Sequence, residues 1–88
     1  MTPDQRTAEI QKRLTENFSP SVLEVIDDSA KHIGHAGSQG GAGHYIVIIV
    51  ADTFKNKSRT AAHREIYAVL GDLIPDEIHA LQIKILTL

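Results

Sequence analysis

The chain has 88 residues, 42% of them apolar and 23% charged, with a formal net charge of −2. That length predicts a single domain spanning residues 1–88 around one modest core. No apolar run reaches the ~18 residues of a membrane helix, the charge argues against a surface given over wholly to phosphate binding, and the absence of cysteine excludes disulfides.

The N-terminal stretch Met1-Thr2-Pro3-Asp4-Gln5-Arg6 is polar and lacks the apolar centre of a signal peptide, so a soluble, cytoplasmic protein is expected. Residues 3–17 read as a helix, with Thr2 or Asp4 as its cap and Pro3 tolerated in the first turn. Ile10, Leu14 and Phe18 recur at i, i+4 and i+8 as its apolar stripe. Ser19-Pro20-Ser21 stops it. Val22 to Asp28 reads as a strand on its β-branched content, ended by Asp27-Asp28-Ser29.

A loop follows from Ser29 to Gly43, holding five of the chain's six glycines. It is longer than most hairpin connections, which marks it as functional or loosely ordered. His44 to Ala51 contains the unbroken apolar run Tyr45-Ile46-Val47-Ile48-Ile49-Val50, the pattern of a central strand buried on both faces. Asp52 to Lys57 is a polar turn with Phe54 inside it. Ser58 caps a helix from about Arg59 to Asp72, whose apolar face is Ala62, Ile66, Val69, Leu70 and Leu73. Pro75 ends that helix, and Asp76-Glu77 opens a short turn. His79 to Leu88 reads as the last strand, with Leu81, Ile83 and Ile85 alternating with Gln82 and Lys84. By the same alternation His79 falls on the core-facing side at the strand's edge.

The order is therefore α-β-β-α-β. The first two strands form an antiparallel hairpin, and the second and third, joined through a helix, a parallel pair. Two helices cover one face of a three-stranded mixed sheet, giving a small α+β sandwich. The chemistry resides in the five histidines. His32, His35 and His44 lie in or beside the glycine-rich loop, and His79 opens the last strand. Neutral imidazole is a metal ligand and titrates nearest physiological pH, but a chain without cysteine cannot by itself hold an iron–sulfur cluster through thiolates. Lys55, Lys57, Arg59 and Arg64, with His63, form a local positive patch suited to carboxylate or phosphate contacts. The paired acids Asp27-Asp28 and Asp76-Glu77 read as caps and turn residues. No nucleophile–base pairing or Walker-type phosphate loop is present, so catalysis is not expected.

Several stretches carry a resemblance to a known family: Asp28-Ser29-x-x-His32 with Gly34-His35-Ala36-Gly37, Gly43-His44-Tyr45, Asp52-x-Phe54, His63-Arg64-x-x-Tyr67 with Leu70, and Ile78-His79-Ala80-Leu81. In this order they resemble the BolA family, whose fold is like that of class II KH domains. The resemblance implies pairing with a monothiol glutaredoxin and a shared [2Fe–2S] cluster, whose sulfur ligands come from the glutaredoxin cysteine and glutathione. It implies His79 as the C-terminal metal ligand and His35, or alternatively His32, as the loop ligand. The isolated chain would carry no cofactor, as a monomer or weak homodimer. His44 is read as supporting the site from behind a ligand. Family members are also described as DNA-binding transcriptional regulators, which makes DNA the alternative partner of Lys55, Lys57, Arg59, His63 and Arg64. Against that, Asn56 stands where the family often has glycine after Phe54, and no Gly-x-x-Gly phosphate clamp of the KH type lies between helices. A zinc- or pH-sensing module built from the loop histidines is the third reading.

Overall fold

The computed structural model describes residues 1–29 and 43–87. Its regular elements are α1 (Pro3–Phe18), β1 (Val22–Asp27), β2 (Gly43–Val50), α2 (Arg59–Leu70) and β3 (Ile78–Ile85), with single 3₁₀ turns at Asp52–Phe54 and Gly71–Leu73. The sheet order is β1-β2-β3. β1 runs antiparallel and β2 parallel to their respective partners β2 and β3, with β2 central. The α+β architecture and both strand pairings agree with the sequence-based reading.

Helix α1 starts at a reciprocal cap. Thr2 Oγ1 accepts from the Gln5 backbone N–H at 3.1 Å, and Gln5 Oε1 accepts from the Thr2 N–H at 2.8 Å. It ends at Ser19, which takes a left-handed conformation and donates its N–H to Thr15. Helix α2 starts at Ser58, whose hydroxyl accepts from the Ala61 N–H at 3.1 Å. Losing that acceptor in Ser58→Ala leaves an amide of the first turn unpaired, and urea unfolding should show a loss of about 1 kcal/mol.

The core lies between the helices and one face of the sheet. Ile10 and Leu14 of α1, Ile66 and Leu70 of α2, and Val47 and Ile49 of β2 are all 0% exposed. Phe54 closes one end, its ring 5.0 Å from that of Phe18. Arg13 ties the helices together: its guanidinium donates to Glu9, to the Val69 carbonyl and to both carboxylate oxygens of Asp72. Asp72 accordingly titrates below its ordinary value.

One expectation for β2 needs correcting. The strand is central but not buried on both faces. Tyr45, Val47 and Ile49 point into the core; on the opposite face His44 and Val50 at the two ends are buried, but Ile46 and Ile48 between them are only half-buried. Both helices lie on the core side, so nothing among the described elements is layered over the other face.

Candidate functional site

The site forms where β2 begins and β3 begins, at one end of the sheet. Its decisive feature is a break in register. Gly43 pairs with Ile78, but the next residue, His44, pairs with Ala80. His79 is thus an extra residue, a β-bulge in a parallel pair, where bulges are rare. The consequence follows from the two-residue period of a strand. Ile78 takes the core position and is 0% exposed. Leu81, Ile83 and Ile85 also face the core, on the far side of the bulge. His79 belongs to neither alternation and is exposed. The expectation that it lies core-facing, in phase with Leu81, is corrected on this point: the bulge turns it out.

Outside, His79 lies beside His44, with ring centroids 5.2 Å apart and planes inclined at 50°. His44 is 8% exposed, a buried imidazole backing an exposed one. Its neighbour Tyr45 is buried and fixes the start of the strand. The tyrosine ring lies over Gly43, where a Cβ would stand 2.3 Å from Cε2. Gly43 is therefore required by close approach.

The same corner anchors both ends of the glycine-rich segment. On the β1 side, Asp27 Oδ1 accepts from the Ser29 N–H at 2.9 Å, and the Asp28 N–H donates to the His44 carbonyl at 2.7 Å. Ser29 Oγ then accepts from the His44 N–H at 3.1 Å. On the β2 side, the Gly43 N–H donates to the Glu77 carbonyl at 3.0 Å. His32 and His35 lie outside the described residues, but the chain leaves for them and returns from them at the corner that carries His44 and His79.

Behind the corner is an ion pair that the sequence did not reveal. Arg6, one turn before Ile10 on the buried stripe of α1, is 8% exposed. Its Nε donates to Glu77 Oε2 at 2.7 Å. Burial works against the arginine's charge, but the Glu77 carboxylate, with the Tyr45 side chain beside it, outweighs that, and the pKa lies above the ordinary guanidinium value. Glu77 moves the other way: the hydrogen bond from Arg6, then that from the Met1 amino group, hold it below its ordinary 4.5. A depressed carboxylate pKa stabilises the fold above its unfolded value, and this contribution is lost as pH falls through the folded one. Wild type should therefore exceed Glu77→Gln in urea midpoint at neutral pH, with the gap closing as pH drops below about 4.5. A gap that persists unchanged at pH 3 would remove this attribution.

Among the described residues, no three His, Asp or Glu side chains converge as an ordinary metal cage. The donors at the corner are two imidazoles. Those two described donors are fewer than the four of a structural zinc site, and they fit a metal group completed by further ligands.

The cationic positions fall elsewhere. Arg59, His63 and Arg64 line a shallow surface on α2 with Thr60 and Tyr67, whose hydroxyl donates to the Leu81 carbonyl at 3.3 Å. Lys57 is held by Glu65 at 2.7 Å and Lys55 by Asp52 at 3.3 Å. The positive patch is thus half neutralised from within. No helix among the described residues is long and apolar enough to cross a membrane.

Comparison with known proteins agrees with this geometry. The family described as BolA-like protein matches residues 14–88. The DNA-binding transcriptional regulator BolA of Escherichia coli K12 is 34% identical over 79 residues, covering 90% of this chain and 72% of that protein. SufE-like protein 1 of Arabidopsis thaliana is 40% identical over 83 residues, covering 89% of this chain but only 22% of that protein. The solved BolA domain of SufE1 from Arabidopsis thaliana superposes with a TM-score of 0.80 at 37% identity, covering 93% of this chain and 91% of that domain. Shared elements, shared order and a match over most of its length establish that this chain belongs to the BolA-like protein family.

Proposed function

We propose that this chain is the histidine-donating partner of a monothiol glutaredoxin, co-ligating a bridging [2Fe–2S] cluster for iron–sulfur trafficking or redox sensing. The observation that carries the reading is the bulge that exposes His79 at the sheet end where the His32- and His35-bearing segment is anchored. His79 and one of those two histidines would hold one iron, with His44 packed behind His79. The glutaredoxin cysteine and glutathione would supply thiolates, which this chain lacks. Imidazole in place of thiolate lowers the negative charge on a cluster and raises its reduction potential. The test is titration of this protein into a cluster-loaded monothiol glutaredoxin, followed by visible circular dichroism. The spectrum should change with wild type and with either His32→Ala or His35→Ala, whichever is not the ligand. It should remain that of the glutaredoxin alone with His79→Ala. A wild-type response that survives His79→Ala overturns the reading.

A second reading, DNA binding, is favoured by the similarity to the Escherichia coli DNA-binding transcriptional regulator BolA. Arg59 and Arg64 on the α2 surface would be its phosphate contacts. It requires a mobility shift that weakens steeply with salt and is reduced in Arg59→Ala/Arg64→Ala. Absence of any shift at low salt excludes it.

A further inference from the structure

The uncovered face of the sheet carries a charge arrangement that none of the foregoing uses. Cross-strand register sorts it into rows. Val22 is paired with Val50, and Leu86 lies beside them, its N–H donating to the Ile49 carbonyl. The next row is Glu24, Ile48 and Lys84. The one after is Ile26, Ile46 and Gln82. Val22, Ile26 and Leu86 are 40%, 38% and 51% exposed, large apolar side chains left in water at the margins of the face. Glu24 and Lys84 are exposed, stand on opposite flanking strands, and make no ion pair with any described residue.

An acid and a base on either side of an apolar centre make a surface complementary to itself. We propose that this face docks a second copy of the same chain, sheet against sheet, about a two-fold axis that runs along the strands above Ile48. That operation exchanges β1 and β3. It sets Glu24 of each copy over Lys84 of the other, Val22 over Leu86, and Ile48 over Ile48, a closed isologous contact. The alternative in-plane axis, across the strands, sets Glu24 over Glu24 and Lys84 over Lys84 and is opposed by like charge. Packed sheets lie about 10 Å apart with strands within about 30° of each other, a gap that a glutamate and a lysine reach across together. Both charges also count against a lipid surface as the occupant, because Glu24 would enter it beside Val22 and Ile26.

The size of the face sets the strength. Three strands about 4.8 Å apart, each contributing some 20–25 Å of length, present roughly 300–400 Å² per copy. That is about half of the ~800 Å² per partner of a stable complex. The dimer is therefore weak and concentration-dependent. Association requires neither a metal nor any histidine, so it stands or falls separately from the glutaredoxin reading.

The test is sedimentation equilibrium of the purified full chain, without iron or partner, from about 10 μM to about 1 mM, a range that brackets weak association. The average mass should climb from the 9.6 kDa of the chain toward twice that value. Glu24→Lys and Lys84→Glu should each weaken association roughly tenfold, because each replaces two attractions with two repulsions. The double variant, Glu24→Lys with Lys84→Glu, should return to within about threefold of wild type. These are exposed positions, and far-ultraviolet circular dichroism verifies the fold of each variant. A monomeric mass throughout overturns the proposal and leaves the face to a different protein. A double variant as weak as the singles overturns the stated axis and its ion pairs.

Discussion

Deleting His79 should leave the protein folded while abolishing its response to a cluster-loaded glutaredoxin. Removing the bulge residue brings Ile78 directly before Ala80. Ile78 then still pairs with Gly43 facing the core, Ala80 with His44 on the open face, and Leu81 with Tyr45 facing the core. Every other residue of β3 keeps its side of the sheet without His79. Because His79 is exposed, its loss opens no cavity in the core. The melting temperature should therefore move by no more than about 8 °C, corresponding to about 1 kcal/mol in a domain of this size. In the glutaredoxin titration the change in visible circular dichroism should vanish completely. Unfolding of the deletion variant would show that the bulge is a structural element. A folded variant that still responds would place the ligand elsewhere.

The second large effect is expected from Gly43→Ala. The added methyl would stand 2.3 Å from Cε2 and 2.8 Å from Cζ and Oη of Tyr45. The tyrosine ring is 2% exposed and closely packed, so it cannot swing aside as a surface side chain would. The backbone has little freedom either, because the Gly43 N–H is bonded to the Glu77 carbonyl. Overpacking of this kind costs about 1–3 kcal/mol, against a total stability of roughly 4–13 kcal/mol for a chain of this length. The urea midpoint should fall with an unchanged slope. On a Tyr45→Leu background, where the ring is gone, the same Gly43→Ala change should cost far less. That coupling identifies the ring contact as the cause. An equal cost on both backgrounds would assign it to the backbone instead.

Much of the fold was legible because its signals are local. The i, i+4 stripe of Ile10, Leu14 and Phe18, the Ser58 cap, and the run from Tyr45 to Val50 each lie within a few residues. The α-β-β-α-β order then restricts the pairings. What was not legible depends on residues distant in sequence. His79, Leu81, Ile83 and Ile85 alternate as a regular strand would, and no glycine marks the bulge. It becomes visible only when β3 is set beside Gly43 and His44. Arg6 is only the last residue of a polar N-terminal stretch until Glu77, 71 positions away, is found against it. The apolar character of β2 suggested two covered faces, yet both helices pack on one. For the site, the sequence marked His44 and His79, but it had no means of showing that Ser29, Asp27 and Glu77 secure the strand ends around them. Ser29 and Asp27 lie among the residues read as strand punctuation, and the hydrogen-bonding side chains they carry were the available signal.

The way the chain enters and leaves residues 30–42 has a further consequence. Both exits are secured by bonds that belong to the sheet corner itself: Asp28 N–H to His44 carbonyl, His44 N–H to Ser29 hydroxyl, and Gly43 N–H to Glu77 carbonyl. None of these needs a particular side chain in between. Changes confined to residues 30–42 should therefore leave these bonds, and with them the urea midpoint, in place. The corner thus holds its shape through contacts that lie wholly outside that stretch.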